Sequence, residues 1–123
     1  MASLRFMFIL GMFLQTPLVN AAAASDDYHP VADSRAVVLA GSARFTVLTP
    51  QLIRLEWAKD GKFEDHASFA FLNRALPVPQ FTRQIGPGNR AVLKTDALTL
   101  VYDPGDTDGK FTPSDLSVAF SLN

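Results

Sequence analysis

The chain has 123 residues, of which 48% are hydrophobic, 11 are basic, 12 are acidic and none is cysteine. So even a balance gives no electrostatic footprint for nucleic acid or an anionic membrane surface, and without cysteine there is no disulfide framework. The length is that of one small domain, or of a piece of a larger protein.

Residues 1–24 read as a secretory signal. Arg5 gives a positive start, Phe6 to Leu14 is an apolar run broken only by Gly11, and Pro17 ends it. "LVNAAAAS" then offers paired small residues for a signal peptidase, Val19 with Ala21 or Ala22 with Ala24. The run is shorter than the roughly 20 residues that a membrane-spanning helix needs. The mature chain is expected to begin near Ser25 and to be secreted, with a flexible segment over 25–35 and a β-domain over 36–123. It contains no Asn-x-Ser/Thr sequon.

Past residue 24 the apolar residues alternate in short runs separated by turn signals, which is the pattern of strands. "AVVLA" (36–40) precedes Gly41-Ser42, and "ARFTVLT" (43–49) stops at Pro50. In "LIRLEWA" (52–58), Ile53, Leu55 and Trp57 point one way and Arg54 and Glu56 the other. Asp60-Gly61 marks a turn. "SFAFL" (68–72) is predicted as a strand with Phe69 and Phe71 on one face, and "QFTRQI" (80–85) as another before Gly86-Pro87-Gly88-Asn89. "AVLKT" (91–95) and "LTLVY" (98–102) form a hairpin around Asp96-Ala97, and "LSVAF" (116–120) follows a polar loop. About eight short strands predict an all-β fold, an antiparallel β-sandwich with one solvated face per sheet.

The chemistry-bearing residues do not assemble into a site. Glu64 and His66 share a face of an extended chain and Asp65 points away, so two ligands stand where zinc needs three or four. Neighbouring carboxylates that diverge cannot flank one glycosidic bond at about 5–5.5 Å from each other. Asp103, Asp106 and Asp108 lack the spacing and closing glutamate of a calcium loop. Gly86-Pro87-Gly88 has no phosphate-binding pattern, and Ser68 beside His66 has no oriented acid. Trp57 keeps phase with Ile53 and Leu55, the period of a core position rather than of a sugar-stacking platform.

"ARFTVLTPQLIRLEWAKDGKFEDHASFAFLNRALPVPQF" nevertheless resembles the start of the N-terminal β-sandwich domain (galactose-mutarotase-like) in family 31 of the glycoside hydrolases, the α-glucosidases, α-xylosidases and their relatives. The likeness is carried by the strand "RFTVLTPQLIRLEW", by "FED…S", and by the run Asn73, Arg74, Leu76, Pro77, Val78, Pro79, Phe81. "LTLVYDP…GKFTPSDLSVAF" is similar to the part that follows, so about residues 36 to 120 are covered. No single motif is diagnostic, but their order and spacing together are fairly specific.

The resemblance implies a non-catalytic portion of a secreted enzyme acting on α-linked glucosides or xylosides. The family's two catalytic aspartates lie on a (β/α)8 barrel of about 250 residues, which would be the partner of this sandwich. The sandwich would be partial, inactive alone and without a cofactor. Asp65, Asn73 and Arg74 become the candidates for facing the barrel or the substrate mouth. Arg74 would either tie its segment to a carboxylate such as Asp65 or face the barrel. The alternative is a freestanding secreted module that binds carbohydrate.

Overall fold

Alternating strands need partners to cover their apolar faces, and a computed structural model, which describes residues 27–105 and 107–121, shows how they find them. Seven strands form: β1 (Val37–Ala40), β2 (Ala43–Thr49), β3 (Leu52–Trp57), β4 (Thr82–Ile85), β5 (Ala91–Lys94), β6 (Leu98–Tyr102) and β7 (Leu116–Phe120). They make two antiparallel sheets, β1-β2-β3 and β4-β5-β6-β7, each a meander of sequential neighbours. The fold is therefore all-β and sandwich-like. The secretory segment expected over 1–24 lies outside the described residues. Among those described, no helix is long and apolar enough to cross a membrane.

Register turns the alternation into a core. Ala43, Phe45 and Val47 of β2 stand opposite Trp57, Leu55 and Ile53 of β3. In the second sheet Ala91 pairs with Tyr102, and Leu93 with Leu100. Phe45, Val47, Ile53, Leu93, Leu100 and Tyr102 join one buried cluster that draws on both sheets. Phe45, Tyr102 and Phe111 form its aromatic centre, with ring centroids 5.4–5.8 Å apart in tilted and edge-on pairs. Each such side chain contributes roughly 1.5–3 kcal/mol through burial.

Two polar devices hold the layers in place. The Thr95 hydroxyl donates to the Pro50 carbonyl at 2.6 Å and accepts from the Leu98 amide at 3.0 Å. It thereby closes the β5–β6 hairpin and ties it to the β2–β3 turn. Gly41, between β1 and β2, has φ +60°, and a Cβ there would meet the Asn89 side chain at 2.8 Å. The backbone angle favours glycine, and a side chain there would also push the Asn89 carboxamide aside.

The stretch at 68–72 departs from expectation: it is not a strand. Ser68 and Phe71 exchange backbone bonds at 3.2 and 3.0 Å, so the chain reverses over Phe69-Ala70. Phe69 is then fully exposed at the tip, while Phe71 packs beneath the Arg54 guanidinium at 5.5 Å. Five alternating residues cannot hold a strand when no edge pairs with them, and the turn carries no glycine or proline to announce it. Trp57 also differs. It lies on the core face but only half-buried at the sheet end, where its Nε1 donates to the Asp108 carbonyl at 3.3 Å and Lys110 sits 5.3 Å from its ring.

Candidate functional site

The polar phase of β2 and β3 builds a network of linked ion pairs. Arg44 stands opposite Glu56, and Thr46 opposite Arg54, all on the face turned away from the core. Sequence reasoning reads this as a solvated face. The structure buries it instead: the side chains of Arg44, Arg54 and Glu56 are only 11–12% exposed. The irregular segment after β3 is what covers them, since Phe63 lies 4.7 Å from the Arg44 guanidinium.

Arg44 grips Glu56 through two bonds, Nε at 2.7 Å and Nη2 at 3.0 Å. Its Nη1 donates to Asp65 at 2.7 Å, and Nη2 reaches the Glu64 carbonyl at 3.1 Å. Arg54 pairs with the same Glu56 carboxylate and also reaches the Glu64 carbonyl. Burial opposes the charge on Arg44, but the bonds to Glu56 and Asp65 outweigh it and hold its pKa above the ordinary guanidinium value. The sequence signal for this network was present in the Arg-x-Glu alternation of β3 opposite Arg44. What it lacked was any sign of a cover.

The three residues nominated from sequence come together here, in different roles. Asp65 is a counter-ion of Arg44 and forms no bond with Arg74. The Asn73 carboxamide oxygen accepts from the His29 amide at 2.8 Å, while the His29 carbonyl accepts from the amides of Arg74 and Ala75 at 2.7 and 3.2 Å. Residues 73–75 thus clasp the N-terminal segment. Arg74 holds its surroundings through carbonyls rather than a carboxylate: Nε donates to Pro30 and Nη2 to His66 at 3.3 Å. It is 2% exposed, and Nη1 has no hydrogen-bond partner. Burial, followed by repulsion from Arg54, pushes its pKa below the ordinary value.

The other candidates are local. Glu64 accepts from the His66 amide at 2.6 Å and contacts its ring Nδ1 at 2.7 Å, both residues being exposed. Those two bonds hold the Glu64 carboxyl below the usual carboxylate range. Among the described residues no three His, Asp or Glu side chains gather as metal ligands do. Asp103 pairs with Arg90 and Asp108 with Lys110, whereas Asp106 lies outside the described residues.

Between the arginine face and the N-terminal segment lies a cavity of about 370 Å³, whose walls include Val37, Leu39, Arg44, Arg54, Asp65 and Arg74. Its chemistry is an ion-paired floor, guanidinium groups with the Asp65 carboxylate among them, against an apolar wall. No protein-family model matches the chain, and no curated protein sequence matches it.

Proposed function

We propose that the chain is the N-terminal, non-catalytic portion of a secreted family-31-type glycoside hydrolase. It would support a (β/α)8 barrel that cleaves α-linked glucosides or xylosides, and help shape the mouth of that barrel's active site. The likeness rests on the order and spacing of its motifs. One observation supports the reading: Asn73 through Phe81, one of the three stretches that carry the likeness, forms no strand and leads from the arginine face of one sheet to β4 of the other. Pro77 and Pro79 cannot donate to a ladder, which suits a connection that pairs with neither sheet.

The site carboxylates support a non-catalytic role. An acid/nucleophile pair must face one bond across about 5–5.5 Å. Here Glu56 is held by Arg44 and Arg54, and Asp65 by Arg44, so both are committed to guanidinium groups. Nor does Trp57 offer a free platform for a sugar ring, with Lys110 over it and Asp108 on its nitrogen.

Two measurements test this reading. Transcript sequence downstream of the Asn123 codon should encode a barrel with two catalytic aspartates, and an unrelated or absent continuation overturns the proposal. The purified chain should hydrolyse aryl α-glucosides and α-xylosides no faster than buffer. Turnover that co-purifies with it would show that the active carboxylates are in this domain after all.

A further inference from the structure

The two sheets leave two lateral openings, and the chain finishes them differently. At one, Arg83 of β4 stands opposite the core residue Leu93, so it points inward from its edge. Its Nη1 reaches the Val37 carbonyl of β1 at 3.4 Å, and Pro77 and Pro79 lie just ahead of β4. Inward charges and prolines are how sheets protect an edge from further pairing. At the other opening, β3 and β7 flank an apolar cleft of about 350 Å³. Leu52, Leu55, Leu98, Leu100, Val118 and Phe120 line it, and no charged side chain does.

β7 is unfinished in two respects. Val118 and Phe120 stand opposite the buried Leu100 and Leu98, so they project on the core face, yet they remain 42% and 64% exposed. The outer edge of the strand is open as well, because β7 ends the order of its sheet. The Asp103 amide donates to the Asp115 carbonyl at 2.7 Å, and the Ser121 amide to the Ala97 carbonyl at 2.8 Å. Those bonds set the phase of the β6–β7 ladder. Ser117 and Ala119 turn their backbone groups to β6, and Val118 and Phe120 turn theirs to the open edge. The Leu116 amide is already taken by the Thr112 carbonyl at 3.0 Å.

We propose that β7 pairs antiparallel with β7 of a second copy of this chain, about a two-fold axis at Ala119. In a two-fold contact the same patch meets itself, so a charge on the strand risks facing its own like. The edge strands β3 and β4 carry charges in Arg54, Glu56 and Arg83, whereas β7 carries none. With Ala119 opposite Ala119, Val118 stands opposite Phe120 in both halves. The free amides and carbonyls of those two residues then satisfy one another in four bonds, and Leu116 keeps its own. The β-branched and aromatic side chains pair on the core face, beside the mouths of both clefts. This self-complementary match of free groups selects a second copy over an unrelated peptide.

The contact is small beside the roughly 800 Å² per partner of stable complexes, so the dimer should dissociate on dilution. Sedimentation velocity of the full chain over a dilution series should show a monomer–dimer equilibrium. Ala119 is exposed and stands opposite Thr99, away from the core. Ala119→Lys therefore sets two ammonium groups against each other and should raise the dissociation constant at least roughly tenfold. Ala119→Glu should do the same, and both should keep the parent's circular dichroism spectrum. Mixed in equal amounts, the two variants should associate again, since each lysine then faces a glutamate.

A parent chain that stays monomeric throughout overturns the proposal, as does a dimer that Ala119→Lys leaves intact. Folded variants that fail to associate on mixing overturn it too. Protection of the Val118 and Phe120 amides from exchange in a monomeric parent would assign the edge to another segment of the same chain, and would also overturn it. The domain reading is tested by transcript and turnover and this inference by association, so the two fail separately.

Discussion

Phe45 and Arg44 are neighbours on β2, and they are buried by opposite chemistries. Phe45 faces the second sheet and is covered by apolar side chains from strands that pair in long ladders. Arg44 faces outward and is covered by a segment with almost no regular structure, held there by charge. Both end largely out of solvent. Apolar burial is non-directional and tolerates approximate fit, whereas ionic burial works only if each charge finds its partner. The inner face therefore stabilises the fold, and the outer face fixes where one particular segment lies.

The sharpest way to break the inner face is Phe45→Ala. Phe45 is 0% exposed and contacts both Tyr102 and Phe111. Its truncation removes transfer energy and leaves a cavity, a loss of about 3–5 kcal/mol. Since domains are marginal by only about 5–15 kcal/mol, urea denaturation should show the midpoint falling steeply, with most of the population unfolded at modest denaturant. A midpoint unchanged within error would mean that the two sheets do not share this core.

The outer face breaks at Glu56. In Glu56→Gln, Arg44 and Arg54 lose the carboxylate they share; Arg44 keeps Asp65, while Arg54 keeps only the Glu64 carbonyl. Removing one partner of a fully enclosed ion pair costs about 3–5 kcal/mol; with 12% side-chain exposure remaining, about 2–4 kcal/mol is expected. The readout also differs in kind. Amide exchange should accelerate first over residues 63–74, while β5 and β6 keep their protection. Uniform acceleration across both sheets would show that the outer face carries the fold as much as the core does, and would erase the contrast between the two faces.

The same contrast explains what the sequence disclosed. The all-β class, both sheets' principal strands and the β5–β6 hairpin were legible because alternation with turn residues is a local signal. Phe45, Val47, Leu93 and Leu100 follow directly from it. The loop at 68–71 was not legible, because Phe69-Ala70 turns without a turn residue and its apolar spacing imitates a strand. The site was half legible. Asp65, Asn73 and Arg74 were singled out through a family likeness, and the structure does bring them to one region. Arg54 and Glu56 fell on a strand face read as solvated and Arg44 was not singled out, since whether a polar strand face is wet depends on where a distant loop lies. Local spacing carries no information about that, nor about Arg74 choosing carbonyls over Asp65.

The smallest expected effect lies at the rim of the outer face, where the N-terminal segment enters β1. Asp33 caps the short turn Ser34–Ala36 by accepting from the Arg35 amide at 2.8 Å, and its carboxylate is also held by the Arg35 guanidinium at 2.7 Å. The side-chain bond from Arg35, followed by the backbone bond, lowers its pKa from 3.8 to about 2. The folded-state value lies below the unfolded one, so the contribution is complete above pH 3.8 and is lost as pH falls through about 2. Because the group is exposed, the consequence should be local fraying of the cap rather than unfolding. Followed by nuclear magnetic resonance, the Asp33 carboxyl carbon and the Arg35 amide should titrate together near pH 2. An Asp33 midpoint at the ordinary 3.8 would show that Arg35 does not hold it. The rim of the cavity would then be looser than the buried ion pairs beneath it, and the ordered outer surface would begin at Arg74 rather than at Asp33.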